Sequence, residues 1–322
     1  MTGDAPRAFR RVLAVCGPDD AEDAPTLELA GSVADRHGAS LDVLAVQPSP
    51  TRYLRVRHDA DASRLERETV DARRARLDRL VDEVRPGRSV GAAVRLGKPF
   101  LETVRHVLQG GHDLVIKTAE ELDGLGHHLL ASADHHLLRK CPATVWLRRP
   151  GRGDRPSKVL AAVDVDPDGA EEPETEDALN QRILAEAAAI ATHAVAELHA
   201  ITVWDAPAET LVRSWSSYAE GAEDYAAALE SAHWTGLDRT IQAAGLDPRT
   251  VRRHVVRGSA RTAIPQAVRD LDCDLLVLGT IARTGVPGLL IGNTAEDVLN
   301  SVQVPLVAVK PPGYVSPIRL DS

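Results

Sequence analysis

Short apolar runs recur along the chain, each followed by a longer stretch whose apolar residues return every three or four positions. Runs of the first kind are Arg11–Val15, Leu41–Val46, Val90–Arg95, Asp113–Thr118 and Thr144–Leu147, then Lys158–Val163, Glu197–Val203, Val251–Val256, Asp274–Leu278 and Leu306–Val309. They are nearly continuous in Val, Leu, Ile and Ala, the pattern of strands covered on both faces. Between them, helical spacing predicts Pro25–His37, Arg64–Val84, Pro99–Gln109 and Ala131–Arg139. The second half adds Glu174–His193, Ala222–Ala244, Ala260–Leu271 and Thr294–Ser301. Strictly alternating strands and helices imply an α/β fold with a doubly wound parallel sheet.

The pattern is written twice. Val94 and Val255, Gly97 and Gly258, Asp113 and Asp274, and Leu138 and Leu299 all stand 161 positions apart. One offset held over that length predicts two copies of a domain. The copies are expected at residues 1–150 and 151–322, joined by the Pro-, Gly- and charge-rich segment Arg148–Ser157.

The most telling chemistry lies in Asp274–Leu299, DLLVLGTIARTGVPGLLIGNTAEDVL. A buried strand leads into a loop bearing Gly279, Gly285, Gly288 and Gly292, and then into a helix start with Asn293 and Thr294 at the cap. Such a loop leaves backbone N–H groups facing the positive end of a helix, where phosphate binds readily. Glu296 and Asp297 in the same turn suit the helix dipole but compete with a bound anion. The segment resembles the nucleotide loop of the universal stress protein family, whose pattern is G-x-x-G-x9-G-[S/T]. Gly279 takes the first position, Ala282 stands for the second glycine, Gly292 is the third, and Asn293 replaces the Ser/Thr. The first half, through HDLVIKTAEELDGLGHHLLASADHHLLRKCPATVWL, is similar to the amino-terminal domain of tandem members of that family.

That resemblance implies two five-stranded domains forming an intramolecular pseudo-dimer, and ATP as the ligand of the second. Asp164 and the Val203 backbone would meet base and ribose. Gly279, Thr280, Gly292, Asn293 and Thr294 would line the phosphates, with Arg283 offsetting their charge. In the first half the glycine positions are filled by Thr118, Glu121 and Ala131, and Glu120, Glu121 and Asp123 add negative charge. Cys16 is read as the match for Asp164. The first domain is therefore expected not to bind ATP. The resemblance also implies binding and regulation under stress rather than turnover. A slow ATPase, and a module that takes another ligand or a protein, remain open alternatives.

Composition narrows the rest. A formal charge of −9 argues against nucleic-acid backbone as a partner. No apolar run approaches the ~20 residues that span a bilayer, so neither membrane nor export is expected and the cytoplasm is. Cys16, Cys141 and Cys273 are few and far apart, as small buried residues would be. His127–His128 and His135–His136 read as solvated or capping residues rather than a metal site. Trp204, Trp215, Tyr218, Tyr225 and Trp234 gather after one strand of the second half and read as a core cluster, with a ligand lid as the alternative. No S-G-G-x-D-S loop follows either first strand, and neither a G-x-S-x-G elbow nor a phosphate-loop lysine motif is present. Whether two chains pair further is left open.

Overall fold

The computed structural model describes residues 8–17, 22–49, 59–120, 132–165, 173–206, 219–280 and 293–320. The chain divides into two compact units. The first runs to Asp154 and takes in the tail from Tyr314; the second begins at Arg155.

The first unit contains β1 (Arg11–Cys16), α1 (Asp23–His37), β2 (Ser40–Gln47), α2 (Asp59–Val84), β3 (Gly91–Leu96), α3 (Pro99–Gly110), β4 (Leu114–Thr118), α4 (Ser132–Lys140) and β5 (Thr144–Arg148). All its strand pairings are parallel, in the order β3-β2-β1-β4-β5. The second unit repeats this with β6 (Lys158–Ala162), α5 (Pro173–Ala194), β7 (Glu197–Trp204), α6 (Ala219–Ala243), β8 (Arg252–Arg257), α7 (Ala260–Asp270), β9 (Leu275–Gly279), α8 (Asn293–Ser301) and β10 (Leu306–Val309). Its order is β8-β7-β6-β9-β10, again all parallel. This is the doubly wound arrangement that the alternating pattern predicts. In each unit the chain reverses direction across the sheet between the first and fourth strands, where ligands of open α/β sheets bind.

Local chemistry explains the element ends. Gly38 and Gly111 close α1 and α3 in the left-handed conformation, with φ of 61° and 66°. Pro99 sits at the start of α3, where its missing N–H costs nothing. The helices that begin furthest ahead of the starts periodicity suggests are α2 at Asp59 and α6 at Ala219. Their first turns carry too few apolar residues to reveal a helical face.

The cores are aliphatic. Val12, Leu13 and Ala14 of β1 and Val159, Leu160 and Ala161 of β6 are fully buried, as are Leu27 and Ala30 of α1 and Leu184 and Ala187 of α5. The three cysteines are free and buried. Burial drives the Cys16 thiol far above its usual range, and the neighbouring Asp23 adds to this, so Cys16 behaves as a small core residue. Tyr314 and Ser316 of the tail donate hydrogen bonds to the carbonyls of Arg139 and Lys140, at 2.6 and 2.7 Å. They thereby satisfy two of the acceptors that the end of α4 leaves over. Among the described residues, no helix is long and apolar enough to cross a membrane.

Candidate functional site

In the second unit, β6 and β9 run side by side as far as Ala162 and Leu278. Continuing that register sets Asp164 level with Thr280 on the carboxyl side of the sheet. Pairing of β6 with β7 also stops early, at Ala162 opposite Ile201, whereas β7 stays with β8 to Trp204 opposite Arg257. The sheet therefore splits between Asp164 and Val203. Asp164 is exposed there, and its backbone is clamped by one residue of α5. The Asn180 side chain accepts from Asp164 N–H at 3.0 Å and donates to its carbonyl at 2.6 Å. The adjacent Val165 N–H reaches the Thr202 hydroxyl at 3.3 Å.

Gly279 ends β9, and the reason for its missing side chain is visible. A Cβ there would come within 2.9 Å of Leu179 Cδ2 and 3.3 Å of Ile183 Cδ1, both on α5. Close approach of the helix, rather than an unusual φ, calls for glycine at this point. Thr280 is fully buried, and its hydroxyl accepts from Lys310 Nζ, itself 1 % exposed. The carbonyl of Lys310 accepts from Arg182 Nη1 at 3.1 Å, and Arg182 also pairs with Glu186 at 2.7 Å. Asn293 and Thr294 lie within the first turn of α8 rather than ahead of it. Arg283 and Gly292, with Ala282 and Pro287, fall outside the described residues, so their relation to Asp164 and Gly279 is not part of this geometry.

The matching crevice of the first unit is filled by its own side chains. Strand register corrects one equivalence drawn from sequence. Ala14 of β1 lies level with Ile116 and Ala161 of β6 with Val277, so Cys16 matches Val163, and Gly17, not Cys16, matches Asp164. The Asp23 carboxylate takes the place of Asn180, accepting from Gly17 N–H at 2.9 Å. Arg73 of α2 then bridges Asp23 at 2.7 Å and the Gly17 carbonyl at 2.8 Å. Burial raises the Asp23 pKa even against the pull of Arg73. Arg148 donates to Thr118 Oγ1 at 2.8 Å and pairs with Glu22 and Asp154.

Thr118, where the second unit has Gly279, also hydrogen-bonds Thr26 of α1 at 2.8 Å. Nor is Glu120 a free negative charge. Lys117 Nζ lies 2.9 Å from both Glu120 and the buried Asp134, and Asp134 accepts from Glu120 N–H. The second unit has Leu278 and Ala295 at the corresponding positions of Lys117 and Asp134. Glu121, Asp123 and Ala131 lie outside the described residues.

Other sequence candidates find packing partners. His136 packs its ring on Phe100, with centroids 4.6 Å apart. Trp204 is buried against His233 and has the Arg257 guanidinium over its ring, and Arg253 lies over Trp234. Trp215, Tyr218, His127 and His128 lie outside the described residues. Among the described residues no group of three or more metal-ligating side chains converges. Asn180 and Lys310 were not singled out by sequence reading. The fixed offset would have marked Lys310, which it sets opposite the buried Arg149; Asn180 is matched to Asp23 only by structure, since each accepts from the N–H that follows the first strand.

The model of the universal stress protein family matches this chain twice, over residues 8–149 and 158–310. Universal stress protein E of Escherichia coli (strain K12) is 30% identical over 225 residues, covering 70% of this chain and 69% of the relative. The Salmonella typhi protein of the same name matches over the same shares at the same identity. Among solved structures, a Pseudomonas aeruginosa PAO1 protein described as functionally unknown superposes with a TM-score of 0.67 at 27% identity, covering 96% of this chain and 95% of that one. A universal stress protein from Archaeoglobus fulgidus DSM 4304 shares the fold, with a TM-score of 0.60 at 15% identity over 93% and 98% of the two chains. With the domain matched in both halves and the parallel five-stranded sheet repeated in both units, this chain belongs to the universal stress protein family and carries its domain in tandem.

Proposed function

We propose that the second unit binds a nucleotide of the ATP kind, that the first unit does not, and that the chain acts as a nucleotide-responsive regulator in stress rather than as a catalyst. The observation that carries this reading is the contrast between the two crevices. In the first, Arg73 pairs with Asp23, and Arg148 donates to Thr118, beside the switch point. In the second, Asp164 is exposed beside the split between β6 and β7, and Asn180 holds its backbone in place. By family resemblance, Asp164 and the Val203 backbone take base and ribose. Gly279, Thr280, Gly292, Asn293 and Thr294 take the phosphates, with Arg283 offsetting their charge.

Calorimetric titration of ATP into the full chain tests this. Heat of binding is expected from the wild type and none from Gly292→Glu, which sets a carboxylate in the phosphate path. Asp164→Ala should weaken binding about tenfold to a hundredfold, as loss of a charge-assisted hydrogen bond does. Absence of heat from the wild type overturns the nucleotide reading and leaves another ligand or a protein partner. Conversion of ATP to ADP on long incubation, abolished by Asp164→Ala, would replace the regulator with a slow ATPase.

A further inference from the structure

We propose that His199 and His254 form a proton-gated latch that holds β8, the outermost strand of the second unit, onto β7. His199 lies on β7 and His254 on β8, two residues further along on the same face, since His199 is opposite Arg252 and His254 opposite Ile201. His199 Nδ1 and His254 Nε2 are 3.1 Å apart, and the rings are parallel within 4° with centroids 5.2 Å apart. A contact of that length between two imidazole nitrogens holds one proton, donated by one ring and accepted by the other. One added proton can sit on an outward nitrogen and leave the bond intact. A second cannot, because it sets N–H against N–H and places two positive charges side by side.

The surroundings sharpen the response. His199 is 4 % exposed. Its other nitrogen, Nε2, lies 3.4 Å from Glu197 on its own strand, and Glu197 is shared with Arg252 of β8 at 3.0 Å. From β6, Lys158 adds positive charge, its ammonium bound to the Leu271 carbonyl at 2.9 Å. Of the charged groups on α7, Arg261 pairs with Asp297, and Arg269 and Asp270 both bond Gln266. Asp274, after α7, is taken up by the N–H groups of Ser157 and Lys158. Asp272 lies on the same turn, and Arg253 with Asp238 forms a separate pair at 2.6 Å. Among the described residues Glu197 is therefore the acid in hydrogen-bond range of the pair, set against the nearby cations Arg252 and Lys158.

Burial, first, pushes both imidazoles below the ordinary histidine range; at His199 the Glu197 carboxylate opposes it while Arg252 and Lys158 add to it, and at His254 the charges of His199 and Arg252 reinforce it. A base whose folded pKa is depressed adds its full stability above the unfolded value, near 6.5. That contribution is lost as the pH falls from there toward the folded value. β8 is the element where such a loss would show, because none of its six residues is fully buried.

The test is amide hydrogen exchange of the full chain, read by mass spectrometry at pH 7.5 and pH 5 and corrected for intrinsic rates. Residues 251–258 are expected to exchange about tenfold faster or more at pH 5, the change that one unit of pKa displacement produces. Residues 275–278 of β9, buried in the same unit, serve as the reference for any general acid loss. His254→Asn keeps a hydrogen-bonding group that cannot take a proton, and it should abolish the acid response. His199→Gln should do the same if the first variant is too unstable to assay. Equal protection of 251–258 at both pH values overturns the latch, as does an undiminished acid response in both variants. Imidazole signals titrating as two independent groups near 6.5 would overturn it too.

Discussion

Ile183 and Gly279 in the second unit occupy the places of Thr26 and Thr118 in the first. One pair fits by size, an isoleucine against a bare backbone, and the other by a hydrogen bond between two hydroxyls. The two solutions do not mix. Gly279→Thr brings a Cβ against Leu179 and Ile183 and is expected to cost about 1–3 kcal/mol, the usual penalty of overpacking. Adding Ile183→Thr, which rebuilds the arrangement of the first unit, should recover part of that loss. A double-mutant cycle from urea denaturation checks this, and strictly additive effects would argue against direct coupling. At this scale the sequence is legible where glycine marks a close approach. The match of Cys16 to Asp164 is one residue out: aligned without a gap, VLAVCG and VLAAVD place Gly17 opposite Asp164, and the hydrogen-bonded register agrees.

Elements were read well wherever burial is two-sided, because a covered parallel strand has to be apolar throughout. β4 and β9 are examples, each with four buried residues followed by one partly exposed. The edge strands β3 and β8 are half-exposed, and no pattern announces the histidine contacts made there, of Arg95 on β3 with His106 and of His254 on β8 with His199. In the first unit His106 of α3 stacks on His112, centroids 5.3 Å apart, and lies 3.4 Å from Arg95 of β3. Burial, followed by the charge of His112 and Arg95, lowers the His106 pKa to about 4. Its contribution to stability is complete above about 6.5 and is lost as the pH falls from there to about 4. Thermal unfolding between pH 7 and pH 4 should show a smaller acid decline in His106→Asn than in the wild type. An identical slope in both would show that His106 takes up its proton as freely folded as unfolded.

For the molecule as a whole, the repeat at a fixed offset was enough to reveal two domains of one kind, and family membership follows from the same duplication. What the offset could not reveal is the path of the chain after β10. Residues from Tyr314 onward belong to the first unit, where Tyr314 and Ser316 bond the last carbonyls of α4. No periodicity announces such a role, since it rests on single side chains meeting carbonyls far away in sequence. Ending the chain at Gly313 removes two hydrogen bonds worth about 0.5–1.5 kcal/mol each. The expected result is a loss of about 1–3 kcal/mol confined to the first unit. Hydrogen exchange of α4 set against that of α8 measures it, and equal protection of both helices in the shortened chain would contradict the assignment.

This placement bears on how the protein comes to be made. A ribosome finishes β5 long before it reaches Tyr314, so the nascent first unit must wait, its α4 carbonyls uncapped, while the entire second unit is translated. Expressing residues 1–154 alone would hold the polypeptide at that unfinished stage. The unit encoded first is thus the last to be completed.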